Sequence, residues 1–183
     1  PKEENTTAGR FLEKRNGDGG YMIIIQVDDF QDSKGLVEKN NIGVVWETDL
    51  PEAKAIHLHP KQMGGAILSL DWMNPKESWK WAGPDWKNHI SGAVSAIDGV
   101  EIQSDNPKGM FESWCKVLGD PKVDIEKNII FLDNTWLKFV RDNDGRGPGV
   151  STFSLKTDTP EAVMKRAETV SYTHLRAHET LIY

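Results

Sequence analysis

Three times along this chain an apolar or alternating run ends in an acidic or hydroxyl cap, and a helical pattern follows. In the first instance Tyr21-Met22-Ile23-Ile24-Ile25-Gln26-Val27 is continuous and rich in β-branched residues, which predicts a strand buried on both faces. Asp28-Asp29 are its N-cap candidates, Ser33–Lys39 is a short helix, and Asn40-Asn41 close it. In the second, Gly99–Ser104 alternates polar with apolar side chains. Asp105-Asn106-Pro107 then caps a helix carrying Met110, Phe111, Trp114, Val117 and Leu118 at helical spacing, and Gly119 ends it. In the third, Val150–Thr157 alternates, and Asp158-Thr159-Pro160-Glu161 opens another helix.

Further strands follow each complete helix. Gly43–Thr48, Ala55–His59 and Ala66–Asp71 form the first set, with a hairpin turning at Met63-Gly64-Gly65, where glycine permits positive φ. Asn128–Leu132 and Thr135–Arg141 form the second, turning at Asp133-Asn134. The repeated unit is therefore strand, helix, then two or three antiparallel strands, with caps at Asp28, Asp105 and Asp158. Between the first two units, the stretch from Trp72 to Trp86 is broken by Pro75, Gly83 and Pro84, yet holds four of the seven tryptophans. It is either a linker pinned to the core by large side chains or an aromatic wall around a ligand.

Composition narrows the function classes. Hydrophobic residues make up 38 % of the 183 positions before the 16 glycines are counted, enough for a buried core. No run approaches the ~18 apolar residues of a membrane span, so no membrane partner is expected. A net charge of −6 argues against nucleic acid, whose phosphates need clustered Lys and Arg. The single Cys115 excludes an internal disulfide and a cysteine-based zinc site; it has no histidine at a spacing that would make it a nucleophile. The expected location is the cytoplasm, although the chain opens at Pro1 without an initiator methionine. From Val170 to Thr180 the string resembles a translated sequencing adapter, so residues 170–183 are set aside as artefactual and the rest is taken as a fragment.

A βαβββ repeat of this kind resembles the building block of the vicinal oxygen chelate superfamily, which includes glyoxalases, extradiol dioxygenases, epimerases and bleomycin-resistance proteins. Gly9–Arg15 followed by Gly19–Asp29 is similar to the start of the second module of the methylmalonyl-CoA epimerases, and Leu58-His59-Pro60-Lys61 with Gly64-Gly65 to that module's end. The likeness covers residues 8–75 closely and 90–168 more loosely, and is closer still to two-domain glyoxalase-like proteins. It implies an α+β fold of curved, mixed, mostly antiparallel sheets. It divides the chain into a C-terminal module of a first domain (1–75), a Trp-rich linker (76–88), the first module of a second domain (89–148) and the start of a truncated module (149–169).

In that superfamily paired modules curl into a cup whose concave face holds a divalent metal through His, Glu or Gln. Carried over position by position, those ligands are absent. Met22 and Ser69 stand at two of the positions, Gly99 at a third, and the last region, Thr135–Arg141, offers only Trp136 or Lys138. Methionine, glycine and lysine do not suit a hard divalent ion. Other residues could serve. His57 and His59 lie two apart on a strand and share a face, with Glu47 on the preceding strand as a carboxylate partner; they are metal candidates or structural hydrogen-bonding residues. Gln26 shares a face with Met22, and Glu101 and Gln103 share one with Gly99. With Ser69 and Asp71 they would line a surviving cup, where a buried Glu101 or Glu47 is a candidate general base, or they form a solvated open face. Asp142–Gly147 resembles the start of a calcium loop, but Phe153 stands where the twelfth-position glutamate belongs, so a turn is expected.

The sequence therefore predicts a glyoxalase-like protein binding a small hydrophobic or oxygenated molecule through Met22, Gln26, Ser69, Asp71, Glu101 and Gln103, with no cofactor. The alternative is a metal-dependent lyase, isomerase or dioxygenase that holds a divalent metal through His57, His59 and Glu47. Uncovered sheet edges predict a homodimer through module pairing.

Overall fold

The protein is described by a computed structural model that covers residues 6–17, 19–90 and 92–169; the adapter-like tail lies outside the described residues. The first element is one the repeat does not anticipate. Helix α1 (Thr7–Arg15) is capped by the Thr6 hydroxyl, which accepts from the Gly9 amide at 3.0 Å, and is ended by Asn16 in the left-handed conformation. Then come β1 (Met22–Gln26), α2 (Phe30–Lys39), β2 (Val44–Asp49), β3 (Ala53–Leu58) and β4 (Ile67–Met73). The second unit comprises β5 (Ala96–Ser104), α3 (Pro107–Val117), β6 (Lys122–Asp124), β7 (Ile129–Phe131) and β8 (Trp136–Arg141), followed by β9 (Gly149–Lys156) and α4 (Pro160–Thr169). The caps fall where expected: Asp29 accepts from the Asp32 amide and Asn106 from the Gly109 amide, with Pro107 in the first turn.

The two units share one topology. The first sheet runs β1-β4-β3-β2, with β1 parallel to β4 and the other pairs antiparallel. The second runs β6-β7-β8-β5-β9, with β5 parallel to β8 and every other pair antiparallel. Neither sheet closes on itself. The fold is thus α+β, built from βαβββ-like units in two mixed sheets. No helix among the described residues is long and apolar enough to cross a membrane.

Several sequence expectations are corrected. The run Met22–Gln26 is not buried on both faces: β1 is an edge strand, and Ile24 is 43 % exposed. The strand covered on both faces is β4, which lies between β1 and β3 and runs two residues past Asp71 into Trp72 and Met73. Helix α2 starts at Phe30 rather than Ser33, because Asp29 caps it directly and Phe30 buries in the core. The short strand β6 was not expected either.

One apolar core joins the units. Phe30, Val37, Ile56, Leu58, Leu68 and Leu70 from the first pack with Ile102, Met110, Trp114, Val117, Leu137 and Phe139 from the second. The Trp114 indole N–H crosses from α3 to donate to the Met63 carbonyl at 2.9 Å, and its ring meets Phe139 edge-on at 5.4 Å. The turn that receives it is glycine for steric reasons: a β-carbon on Gly64 (φ +81°) would stand 2.7 Å from Met110 Cγ, and one on Gly65 (φ +112°) would overlap Pro148. Buried Arg15 adds a polar tie, its Nη1 donating to the Pro148 carbonyl at 3.2 Å.

Candidate functional site

Helix α2 and the shared core cover one face of the first sheet, and the other face carries the site. Strand register places Ile24 beside Ser69, Ser69 beside His57, and His57 beside Trp46, so a single row of side chains crosses all four strands. A β-bulge between Val44 and Trp46 sets the indole at the end of that row. Its ring packs on the His57 imidazole with centroids 4.4 Å apart and planes tilted by 34°. In the next row Gln26, Asp71 and Ala55 lie side by side. Small side chains at Ala55 and Ser69 leave a hollow above the middle strands.

The hollow is a cavity of about 250 Å³ lined by Met22, Ile24, Trp46, Ala55, His57, Asp71 and Trp81. Trp81 comes from the linker, where a 3₁₀ turn (Lys80–Ala82) swings its ring over the strands; its Nε1 donates to Asp71 Oδ2 at 2.7 Å. Ser69 Oγ donates to the other carboxyl oxygen, Oδ1. Asp71 is 2 % exposed. Burial raises its pKa above the ordinary carboxylate value, against the lowering pull of the Ser69 and Trp81 hydrogen bonds and of His57. Burial likewise lowers the pKa of His57, with Asp71 pulling the other way, so the imidazole is held toward its neutral form. The wall is therefore apolar and aromatic, with one carboxyl group in its floor.

Of the sequence-nominated residues, Met22, His57 and Asp71 meet in this cavity, and Ser69 supports Asp71 from beneath. The others lie elsewhere. Gln26 sits at the end of β1 and donates to the Lys76 carbonyl at 2.9 Å. His59 falls past the end of β3, where its Nδ1 accepts from the Lys61 amide, the structural hydrogen-bonding role foreseen as one reading. Glu47 pairs with Ile56 and points to the opposite face, where it meets Lys34 of α2 at 2.5 Å. Glu47, His57 and His59 thus do not converge, and among the described residues no group of three His, Cys, Asp or Glu side chains is placed to hold a metal ion.

On the second sheet the corresponding face is filled. The Trp136 indole lies over Gly99, Lys138 Nζ meets Glu101 Oε1 at 2.9 Å, and Gln103 donates to Asp144 Oδ1 and the Gly147 carbonyl. Glu101 and Gln103 therefore do not join Ser69 and Asp71 around one cavity. The Asp142–Gly147 segment is the expected turn: Asp142 accepts from the Gly145 and Gly147 amides, and Asp144 from Arg146. Burial opposes ionisation of Asp144, but hydrogen bonds from Gln103 and from the Arg146 amide and guanidinium outweigh it and hold the carboxyl well below the usual range. Cys115 is partly buried, and that burial raises its thiol pKa, away from the reactive thiolate. Ile24, Trp46 and Ala55 were not singled out from sequence, because their place in the cavity depends on register across four strands.

No protein-family model matches this chain, and no curated protein matches it. Among solved structures, the chain is similar to a hypothetical protein from Staphylococcus aureus with a TM-score of 0.55 at 14 % identity. The superposition covers 84 % of this chain and 66 % of that one, so the chain spans just under two thirds of its structural relative. At that identity the likeness is one of fold: two mixed sheets of βαβββ-like units, shared with a protein whose own description names no activity.

Proposed function

We propose that this chain is a glyoxalase-like binding module of the vicinal oxygen chelate type, which takes up a small hydrophobic or oxygenated molecule on the open face of its first sheet. The observation that supports this reading is the cavity itself. Apolar and aromatic walls supply burial, and the Asp71 carboxyl with the His57 imidazole supplies orientation, the usual division of labour in ligand sites. Its volume of about 250 Å³ falls just under the ~300–1,000 Å³ of sites for drug-sized molecules, so the ligand is small. No observation favours the metal-dependent alternative, since its three nominated ligands are on different faces or outside the cavity.

A screen of small apolar and oxygenated fragments by protein-observed NMR tests the proposal. Saturable shifts centred on the Trp46 and Trp81 indole N–H signals are expected. They should vanish in Ala55→Phe, which fills the hollow from its floor. Shifts that cluster away from the first sheet, or that survive the filled cavity in a folded variant, would overturn it.

A further inference from the structure

The cavity holds a carboxyl group without a counter-charge. Asp71 is buried, and both hydrogen bonds to it come from neutral donors, the Ser69 hydroxyl and the Trp81 indole. None of the residues lining the cavity is a lysine or an arginine. His57 is the titratable neighbour whose charge would act on Asp71, and burial holds it toward its neutral form. A buried carboxylate in such surroundings is destabilised unless something brings positive charge to it. Each carboxylate oxygen can accept two hydrogen bonds, so one direction remains on each for a further donor.

The surrounding groups suit the same charge. The indoles of Trp46 and Trp81 line the cavity, and electron-rich aromatic rings attract cations, while Met22, Ile24 and Ala55 supply an apolar wall. A net charge of −6 draws cations toward the whole molecule. An anionic ligand, by contrast, would have to enter beside Asp71 with no cationic side chain to receive it. We infer that the cavity selects a small organic cation, an ammonium or amidinium head on an apolar body, with the head on Asp71 and the body against Trp46 and Trp81. This rests on the cavity being a binding site and narrows its ligand from hydrophobic or oxygenated molecules to cationic ones.

Three probes of nearly one shape separate the two claims: benzamidinium, neutral benzamide and anionic benzoate, each titrated while the Trp46 and Trp81 indole N–H signals are followed. Charge-assisted hydrogen bonding predicts that benzamidinium binds about tenfold or more tightly than benzamide, with benzoate weakest. In Asp71→Asn the two affinities should come within about twofold of each other, because the pairing charge is gone. A second readout needs no variant: in the wild-type chain the Asp71 carboxyl carbon signal should move with benzamidinium and stay in place with benzoate. Equal binding of benzamidinium and benzamide overturns the charge selection and leaves the cavity reading standing. Binding of none of the three at the indoles defeats both. A preference that survives Asp71→Asn, or an unmoved Asp71 signal under saturating benzamidinium, removes Asp71 as its source.

Discussion

Gly99→Ala tests how the Trp136 indole fills the face of the second sheet that corresponds to the open face of the first. Gly99 is buried in β5 and paired on both sides, with Trp136 of β8 and Ser154 of β9. A β-carbon there would lie 2.5 Å from Trp136 Cδ2, and nearer still to Cε2 and Cζ2. Carbon atoms rest about 3.5–4.0 Å apart, so the rigid indole must withdraw by at least about 1 Å. β5 cannot recede instead, since hydrogen bonds hold both its edges. Overpacking of this kind costs about 1–3 kcal/mol, while replacing a strand glycine by alanine returns about 0.5–1 kcal/mol through the unfolded chain. The net loss should be about 1–2 kcal/mol. In a Trp136→Ala background the clash is absent, and Gly99→Ala should become stabilising by about 0.5–1 kcal/mol. Urea denaturation of the two single variants and the double variant measures the coupling, expected at about 1.5–3 kcal/mol in favour of the double. A coupling below about 0.5 kcal/mol, the scatter of independent sites, would refute the account of the filled face.

Trp114→Phe should cost about 2–4 kcal/mol, because it strands the Met63 carbonyl in the core and removes part of a fully buried ring. Unfolding should remain a single transition, since both units share the core; two separated transitions by circular dichroism and fluorescence would contradict that. Asp71 and Asp144 should give opposite pH trends. The folded pKa of Asp71 is raised, so the penalty on its charged form is absent below the unfolded value and complete above the folded one; Asp71→Asn should gain on the wild type as pH rises from 3 to 7. The folded pKa of Asp144 is depressed, so its contribution is present at pH 7 and is lost on acidification; Asp144→Asn should approach the wild type as pH falls. Parallel melting profiles for the two variants across that range would contradict both assignments.

The repeat was legible because each unit carries its own punctuation. Asp29 and Asn106 cap helices at equivalent places, and period-two alternation marks β5 and β9. What one dimension hides is which strand lies beside which. Three consecutive isoleucines at 23–25 suggested burial on both faces, yet the strand is an edge, and β4, interrupted by Ser69 and Asp71, is the one enclosed. Met22 and Asp71 were visible as cup-lining candidates, and His57 as a metal or hydrogen-bonding candidate, because alternation sets their face; the structure places all three on the cavity. Trp46 was not visible, because a bulge decides where it points. Gln26 failed for a different reason: it has the right face but stands at the strand's end, where the Lys76 carbonyl takes its amide.

The common register of the two sheets explains why their corresponding faces differ. Met22 pairs with Ile67 as Gly99 pairs with Trp136, so Ile24 corresponds to Glu101, Ser69 to Lys138 and Asp71 to Val140. In the second unit those positions bring an indole and an ion pair onto the face, and the space closes. In the first they bring a hydroxyl and a buried carboxyl, and the linker adds Trp81 as a rim instead of a plug. Strand order and the register of the parallel pair are the same in both, so on those strands the difference lies in a few side chains, to which the Trp46 bulge and the linker's Trp81 add the rim. Exchanging Ser69 for lysine and Ile24 for glutamate together would carry the second unit's ion pair to the first, and should erase the cavity while leaving the sheet intact.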